Sequence, residues 1–154
     1  PLTKGKGKGK MRLYEKFLSS YIFKRAKINP IPPAFMKELV EFAKEVAKKL
    51  LRKGFILDIN LIETFPTFIE KVCNPRPFLA DINFEDKHQK AAFICAKVAK
   101  LHAQFETRYL GYRDGFLFLP EMKFWKKNWI LKFSKAWREK DRLKYRLLTT
   151  NLFE

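Results

Sequence analysis

The chain has 154 residues and a mass of 18.4 kDa, enough for one domain with a sizeable core and an appendage or two. Hydrophobic residues make up 47% of it, with 16 Phe, 5 Tyr and 3 Trp, which excludes a wholly disordered chain. Against 16 Asp and Glu stand 33 Lys and Arg, a formal charge of +17 that strains a compact body by self-repulsion unless a polyanion offsets it.

Cys73 and Cys95 are too few and too far apart for a disulfide framework or a Cys-based zinc site, and read as reduced thiols. No apolar run approaches the roughly 18 residues of a membrane span, and no secretory signal core follows the start. Pro1 fits removal of an initiator Met as well as a processed or truncated terminus.

Charge is unevenly distributed. Residues 1–27 carry +8 and 120–154 carry +6, whereas 55–85 carry −3. A body with two basic limbs is the expectation, because a generic surface intersperses the signs.

Residues 1–10, PLTKGKGKGK, alternate Lys with Gly and offer nothing to bury, so a flexible basic arm is expected there. From Met11 to Lys27, the recurrence of Leu13, Tyr14, Phe17, Leu18, Tyr21 and Ile22 predicts a helix, ended by Ile28-Asn29-Pro30-Ile31-Pro32-Pro33. The most regular stripe follows over 33–53, where Met36, Leu39, Val40, Ala43, Ala47, Leu50 and Leu51 share one face. Gly54 suits the residue after that helix.

Residues 55–85 are Pro-interrupted and mildly acidic; Thr67 with Glu70 predicts a short helix through Cys73. Asp86 with Gln89 opens a predicted helix to about Tyr109. Its bulky face carries Ile94, Val98, Leu101 and Phe105, and its small-residue face Ala92, Cys95, Ala96, Ala99 and Ala103. Asp114-Gly115 marks a hairpin turn between short aromatic runs. From Pro120 a last helix is expected to reach about Leu148, with Met122, Trp125, Trp129, Phe133 and Trp137 down one side. The expected fold is mainly α, a small domain of four to five helices with at most one short β-hairpin. Its parts are the arm 1–10, a helical body 11–119 and a long basic C-terminal helix 120–154.

The Gly-Lys run lacks the strand, helix and spaced Gly-Lys-Ser/Thr of a phosphate-binding loop, and reads as a thin cationic tail for a nucleic-acid groove. Candidate RNA-phosphate contacts are Lys4, Lys6, Lys8, Lys10, Arg12, Lys16, Lys24, Arg25 and Lys27 near the start. Near the end they are Lys123, Lys126, Lys127, Lys132, Lys135, Arg138, Arg142 and Arg146. The helical spacing of Trp125 and Trp129 turns them inward, away from base stacking. Glu85-Asp86-Lys87, with Asp58 or Asp81, is a faint echo of a metal-nuclease site, more simply read as acidic residues at a helix start. His88 and His102 lie fourteen residues apart with no partner at ligand or acid–base spacing. No catalytic residue, cofactor, metal or small-molecule substrate is expected, and the chain is not read as an enzyme.

These features suit a structural ribonucleoprotein component that contacts ribosomal RNA through its ends and neighbouring proteins through 55–85. The motifs of RRM, KH and zinc-finger modules are missing, and no universal ribosomal protein is resembled, so a lineage-specific mitochondrial ribosomal protein is expected. The location is then mitochondrial, otherwise cytoplasmic. The rival is a matrix-side or peripheral accessory subunit of a respiratory membrane complex, with the cationic C-terminal helix on lipid headgroups.

The arm generates a test. The run Lys4–Lys10 has four cations, three glycines and no apolar side chain, so intramolecular contacts cannot offset an ordering entropy of about 1–2 kcal/mol per residue. Deleting 1–10 is expected to leave the melting temperature of the free protein unchanged, while weakening RNA binding and flattening its salt dependence.

Overall fold

The computed structural model describes residues 11–28, 30–78, 82–142 and 147–153. The predicted arm 1–10 and Arg146 lie outside them. Helices α1 (Leu13–Leu18), α2 (Tyr21–Lys24), α3 (Lys37–Arg52), α4 (Pro66–Val72), α5 (Pro75–Phe78), α6 (Lys87–Ala103) and α7 (Lys127–Arg138) surround a sheet of β1 (Thr107–Tyr112), β2 (Gly115–Pro120) and β3 (Thr149–Thr150). The sheet is antiparallel in the order β2-β1-β3. The mainly-α expectation is therefore corrected. Among the described residues the fold is mixed, 53% helix with a three-stranded sheet.

The reason lies at the C-terminal end, where α7 stops at Arg138 and the predicted helix to Leu148 does not form. The chain returns to the sheet, where Thr149 and Thr150 pair with Gly111 and Leu110. Side chains reinforce this short strand: the Thr149 hydroxyl donates to the Gly111 carbonyl at 3.0 Å, and the Tyr109 amide donates to Asn151 Oδ1 at 2.8 Å. A two-residue strand has no periodicity to read, and polar side-chain bonds hold it.

The hairpin forms, but with its two-residue loop one residue earlier than expected, at Arg113-Asp114, and with Gly115 opposite Tyr112 as the first residue of β2. Gly111 is required, because a Cβ there would strike the Gly115 carbonyl and the Phe116 ring. The helix predicted over 11–27 divides into α1 and α2, since the chain breaks at Ser19-Ser20. Asp86 caps α6, its Oδ1 accepting from the His88 and Gln89 amides at 2.6 and 2.8 Å.

One apolar cluster joins α1, α2, α4, α6, α7 and the sheet. At its centre Phe133 of α7 meets Phe17, Phe23 and Trp125 at ring separations of 5.6, 5.8 and 5.4 Å. Phe68 of α4 completes it against Phe23 and Trp125. Ile94, Val98, Leu110, Leu117 and Leu119 extend the core beneath α6. Backbone bonds lock α4 to the start of α7, with Asn74 N–H to the Phe124 carbonyl and Lys126 N–H to the Val72 carbonyl, both 2.9 Å.

Of the six residues whose regular apolar faces predict burial, Leu39, Ala43, Leu50, Ile94, Val98 and Phe105, the structure buries Ile94 and Val98, half-buries Ala43 and Leu50, and exposes Leu39 and Phe105. Leu39 is 59% exposed although it lies on the most regular stripe, because α3 fully buries only Ala47 and leaves much of its apolar face in solvent. Phe105 is 87% exposed, since α6 ends at Ala103 and Phe105 takes a left-handed conformation (φ 60°) just beyond it. There the Phe105 and Glu106 amides donate back to the His102 and Leu101 carbonyls, the usual closure of a helix at a position that favours glycine.

A buried ionic cluster ties α1 to the segment before α4. The Arg12 guanidinium donates from Nη2 to Glu15 at 2.8 Å and from both terminal nitrogens to Glu63, at 2.6 and 2.5 Å. Tyr14 O–H donates to Glu63 at 3.0 Å. Burial by itself would raise the Glu63 carboxyl, but the Arg12 hydrogen bonds and charge outweigh it and hold Glu63 below its ordinary 4.5.

Removing Arg12 would leave these carboxylates uncompensated, so Arg12→Ala is expected to cost about 3–5 kcal/mol in denaturant unfolding. Because Glu63 is held low, its contribution is complete above about pH 4.5 and is lost as pH falls through its depressed folded-state value. Acid titrations of stability should show that loss in the wild type and not in Glu63→Gln.

The packing generates a second contrast. Phe133→Ala is expected to cost about 3–5 kcal/mol, whereas Leu39→Ala should stay within about 0.5 kcal/mol, as measured by urea midpoints.

Candidate nucleic-acid interface

The cations proposed from sequence fall into distinct environments. Arg12 is 2% exposed and committed to Glu15 and Glu63, so it is withdrawn as a phosphate contact. Its position one residue ahead of α1 turns the guanidinium inward, where it also lies 4.6 Å over the Tyr14 ring. Lys16 is half-buried on α1. Lys123 is exposed but paired with Glu106 at 2.6 Å and Glu121 at 3.1 Å, which raises its pKa. Its charge is largely spent within the protein.

Lys126 is half-buried, with its ammonium on the Lys71 carbonyl, and the remaining candidates among the described residues stand outward. On α7, Lys127, Lys132, Lys135 and Arg138 are all exposed along one continuous arc, with Asn128 and Leu131 between them, and Arg142 is exposed just beyond. The opposite arc buries Trp129, Phe133 and Ala136. That division follows from helical periodicity. Lys132 Nζ lies 4.7 Å from the Trp129 ring centroid, and Lys140 Nζ 5.1 Å from that of Trp137. Each ring thereby supports a lysine stem; Lys132 is exposed, while the Lys140 ammonium lies 3.2 Å from Asp141.

Lys24, Arg25 and Lys27 are exposed around the end of α2. Tertiary packing brings this turn to α7. Phe17 lies 6.1 Å from Trp137, and Tyr21 O–H donates to Glu139 at 2.7 Å, which raises the Tyr21 hydroxyl pKa. Along the other side runs a relay of lysines: Lys71 Nζ donates to the Lys27 carbonyl at 2.6 Å, and Lys126 Nζ to the Lys71 carbonyl at 2.9 Å. The two basic limbs, a hundred residues apart in sequence, thus converge beside α7.

Lys71 is the residue that sequence reasoning missed. It lies in the mildly acidic middle segment, and only its reach to the Lys27 carbonyl places it among these cations. Among the described residues, Lys24, Arg25, Lys27, Lys127, Lys132, Lys135, Arg138 and Arg142 form no ion pair with a carboxylate. This surface can hold anionic oxygens as point charges. It offers no stacking platform at Trp125 or Trp129, which are buried.

Of the groups considered for catalysis, Asp86 and His102 are engaged in holding the fold. Asp86 caps α6. His102 bridges Thr107 Oγ1 and the Ile59 carbonyl, both at 2.7 Å, joining α6 to β1 and to the loop before α4. His88 is exposed in the first turn of α6, and burial raises the Asp58 carboxyl, followed by the nearby charge of Glu63. Asp81 lies outside the described residues. Among the described residues, no three His, Cys, Asp or Glu side chains are placed to hold a metal ion, and no helix is long and apolar enough to cross a membrane. Burial pushes the Cys73 thiol up to about 12 and raises that of Cys95.

The chain matches no protein-family model, no curated protein and no solved structure.

Proposed function

We propose that this protein is a structural RNA-binding component of a ribonucleoprotein, most concretely a mitochondrial ribosomal protein whose basic face lies on ribosomal RNA. The observation that carries the reading is the convergence of the α2 turn, Lys71 and the outer arc of α7 into one surface whose exposed cations lack carboxylate partners. Such a surface gains free energy from a polyanion, because each neutralised phosphate releases condensed counterions. Lysines held as point charges suit phosphates in many geometries, so the recognition is of the RNA backbone rather than of sequence. Neighbouring proteins of the particle would cover the segment 55–85, where Phe55, Ile56 and Ile59 are exposed.

Binding to structured RNA should show a log–log salt slope on the order of −4 to −9 if six to ten phosphates are engaged. The double variant Lys132→Glu with Lys135→Glu should weaken binding uniformly across RNA sequences and lower that slope by about 2, without a change in melting temperature. A wild-type slope near zero, or equal binding by the double variant, would refute the reading. Binding to anionic vesicles in preference to RNA would favour the membrane-complex alternative.

A further inference from the structure

We propose that the pocket between the C-terminal end of α6 and the 3-10 turn Met122–Phe124 holds one unpaired nucleotide. It measures about 340 Å³, and none of its lining residues belongs to α2 or α7. The RNA source of that nucleotide rests on the function proposed above; the chemistry of the pocket does not.

The first observation is uncompensated charge in a recess. Lys97, Lys100, Leu101 and Gln104 follow at steps of three, one and three, so they form a single strip along α6 and its cap and line one wall. Helix α6 contains no Asp or Glu, and among the described residues neither Lys97 nor Lys100 forms an ion pair. Lysines at the end of a helix commonly serve its last carbonyls. That task is filled here, because the Gln104, Phe105 and Glu106 amides donate to the Lys100, Leu101 and His102 carbonyls. The Glu106 carboxylate, also in the lining, is taken by Lys123 at 2.6 Å, and Lys123 reaches Glu121 at 3.1 Å as well. The wall of α6 therefore brings two positive charges that the protein does not offset.

These surroundings select the ligand. An amine or a metal ion would meet two ammoniums, and a purely apolar ligand would strip water from them. An oxyanion fits the lysines, yet a bare phosphate would leave most of the pocket empty, since its volume falls in the roughly 300–1,000 Å³ range of small-molecule sites. Beyond the lysines the lining turns apolar at Leu101 and Phe124, and Gln104 adds an amide that both donates and accepts. A nucleobase matches this, with apolar faces and an edge that carries donors and acceptors. The Lys123 ammonium lies 5.1 Å over the Phe124 ring, so that ring supplies apolar wall rather than a stacking platform.

Charge points the same way. A nucleoside monophosphate carries about −1.5 to −2, and an unpaired residue within RNA has a phosphodiester on either side. Either matches the pair of lysines, whereas an acidic peptide side chain brings one charge and no flat body. A base inside a duplex is stacked and paired, so only an unpaired one can enter.

The test uses the full chain and two sets of probes. The first is the four ribonucleoside 5′-monophosphates, their nucleosides, inorganic phosphate and a poly-Glu peptide, followed by the NMR signal of the Gln104 side-chain amide. At least one monophosphate should shift that signal and bind about tenfold more tightly than its nucleoside, inorganic phosphate or the peptide. Lys97→Ala with Lys100→Ala should weaken it by about tenfold or more, and Lys132→Glu with Lys135→Glu should leave it unchanged. The second set is an RNA hairpin with one bulged nucleotide beside the same hairpin fully paired. A preference for the bulged hairpin that Lys97→Ala with Lys100→Ala removes identifies RNA as the source. Equal binding of both hairpins, with monophosphate binding intact, assigns the pocket to a free nucleotide. The inference is overturned if no monophosphate binds, if inorganic phosphate or the peptide binds as tightly, or if the Lys97 and Lys100 variant binds like wild type. Hairpin binding without monophosphate binding refutes the pocket alone, and monophosphate binding without RNA binding refutes the RNA reading alone. The Gln104 shift is read on wild-type protein, so it stands even if a variant misfolds.

Discussion

The packing around Phe133 is the contact on which the rest of this structure depends. Its ring touches Phe17 and Phe23 from the N-terminal helices, Trp125 from the start of its own limb, and Phe153 from the returning C-terminal segment. Edge-to-face rings contribute area burial and a further directional term, so such a cluster fixes relative orientation as well as proximity. By holding α2 against α7 it also decides which cations share a surface. The core and the electrostatic face are two consequences of one set of aromatic contacts.

The same body handles charge in opposite ways. Arg12 is drawn inside and neutralised by Glu15 and Glu63, which accept from its two terminal nitrogens, since a buried guanidinium is costly without a carboxylate partner. The Lys27–Lys71–Lys126 relay does the reverse. There, ammonium groups satisfy backbone carbonyls and leave their positive charge uncompensated at the rim of α7. Self-repulsion of this kind lowers the stability of the isolated protein, and it is relieved by whatever anion comes to lie on the surface.

Helix α3 shows how a regular sequence pattern can be satisfied by more than one environment. The spacing placed a helix over 33–53 with one apolar stripe. Helix α3 forms over Lys37–Arg52, after a separate 3-10 turn at Pro33–Phe35, with Phe42 and Val46 apolar and exposed outside that stripe. Periodicity reports that a face is apolar, not which molecule covers it. Within this chain Ala47 is buried while Leu39, Phe42 and Val46 are left to solvent. The alanine face of α6 is the complementary case. It reads as a surface for close helix packing, and Ala92, Ala96, Ala99 and Ala103 stand exposed.

Local signals in the sequence determined the helices α3, α4 and α6, the Asp86 cap, the hairpin and the inward turn of Trp125 and Trp129, because periodicity, capping and turn chemistry act over a few residues. They also set the two basic limbs, since charge is read directly from composition. The tertiary structure alone decided that the limbs meet, that Lys71 joins them and that Arg12 leaves them for Glu63, since each rests on a contact spanning some forty or more residues. It likewise decided the end of α7 at Arg138 and the third strand. A two-residue strand carries no pattern of its own and exists only because Gly111 and Tyr109 are already in place to receive it.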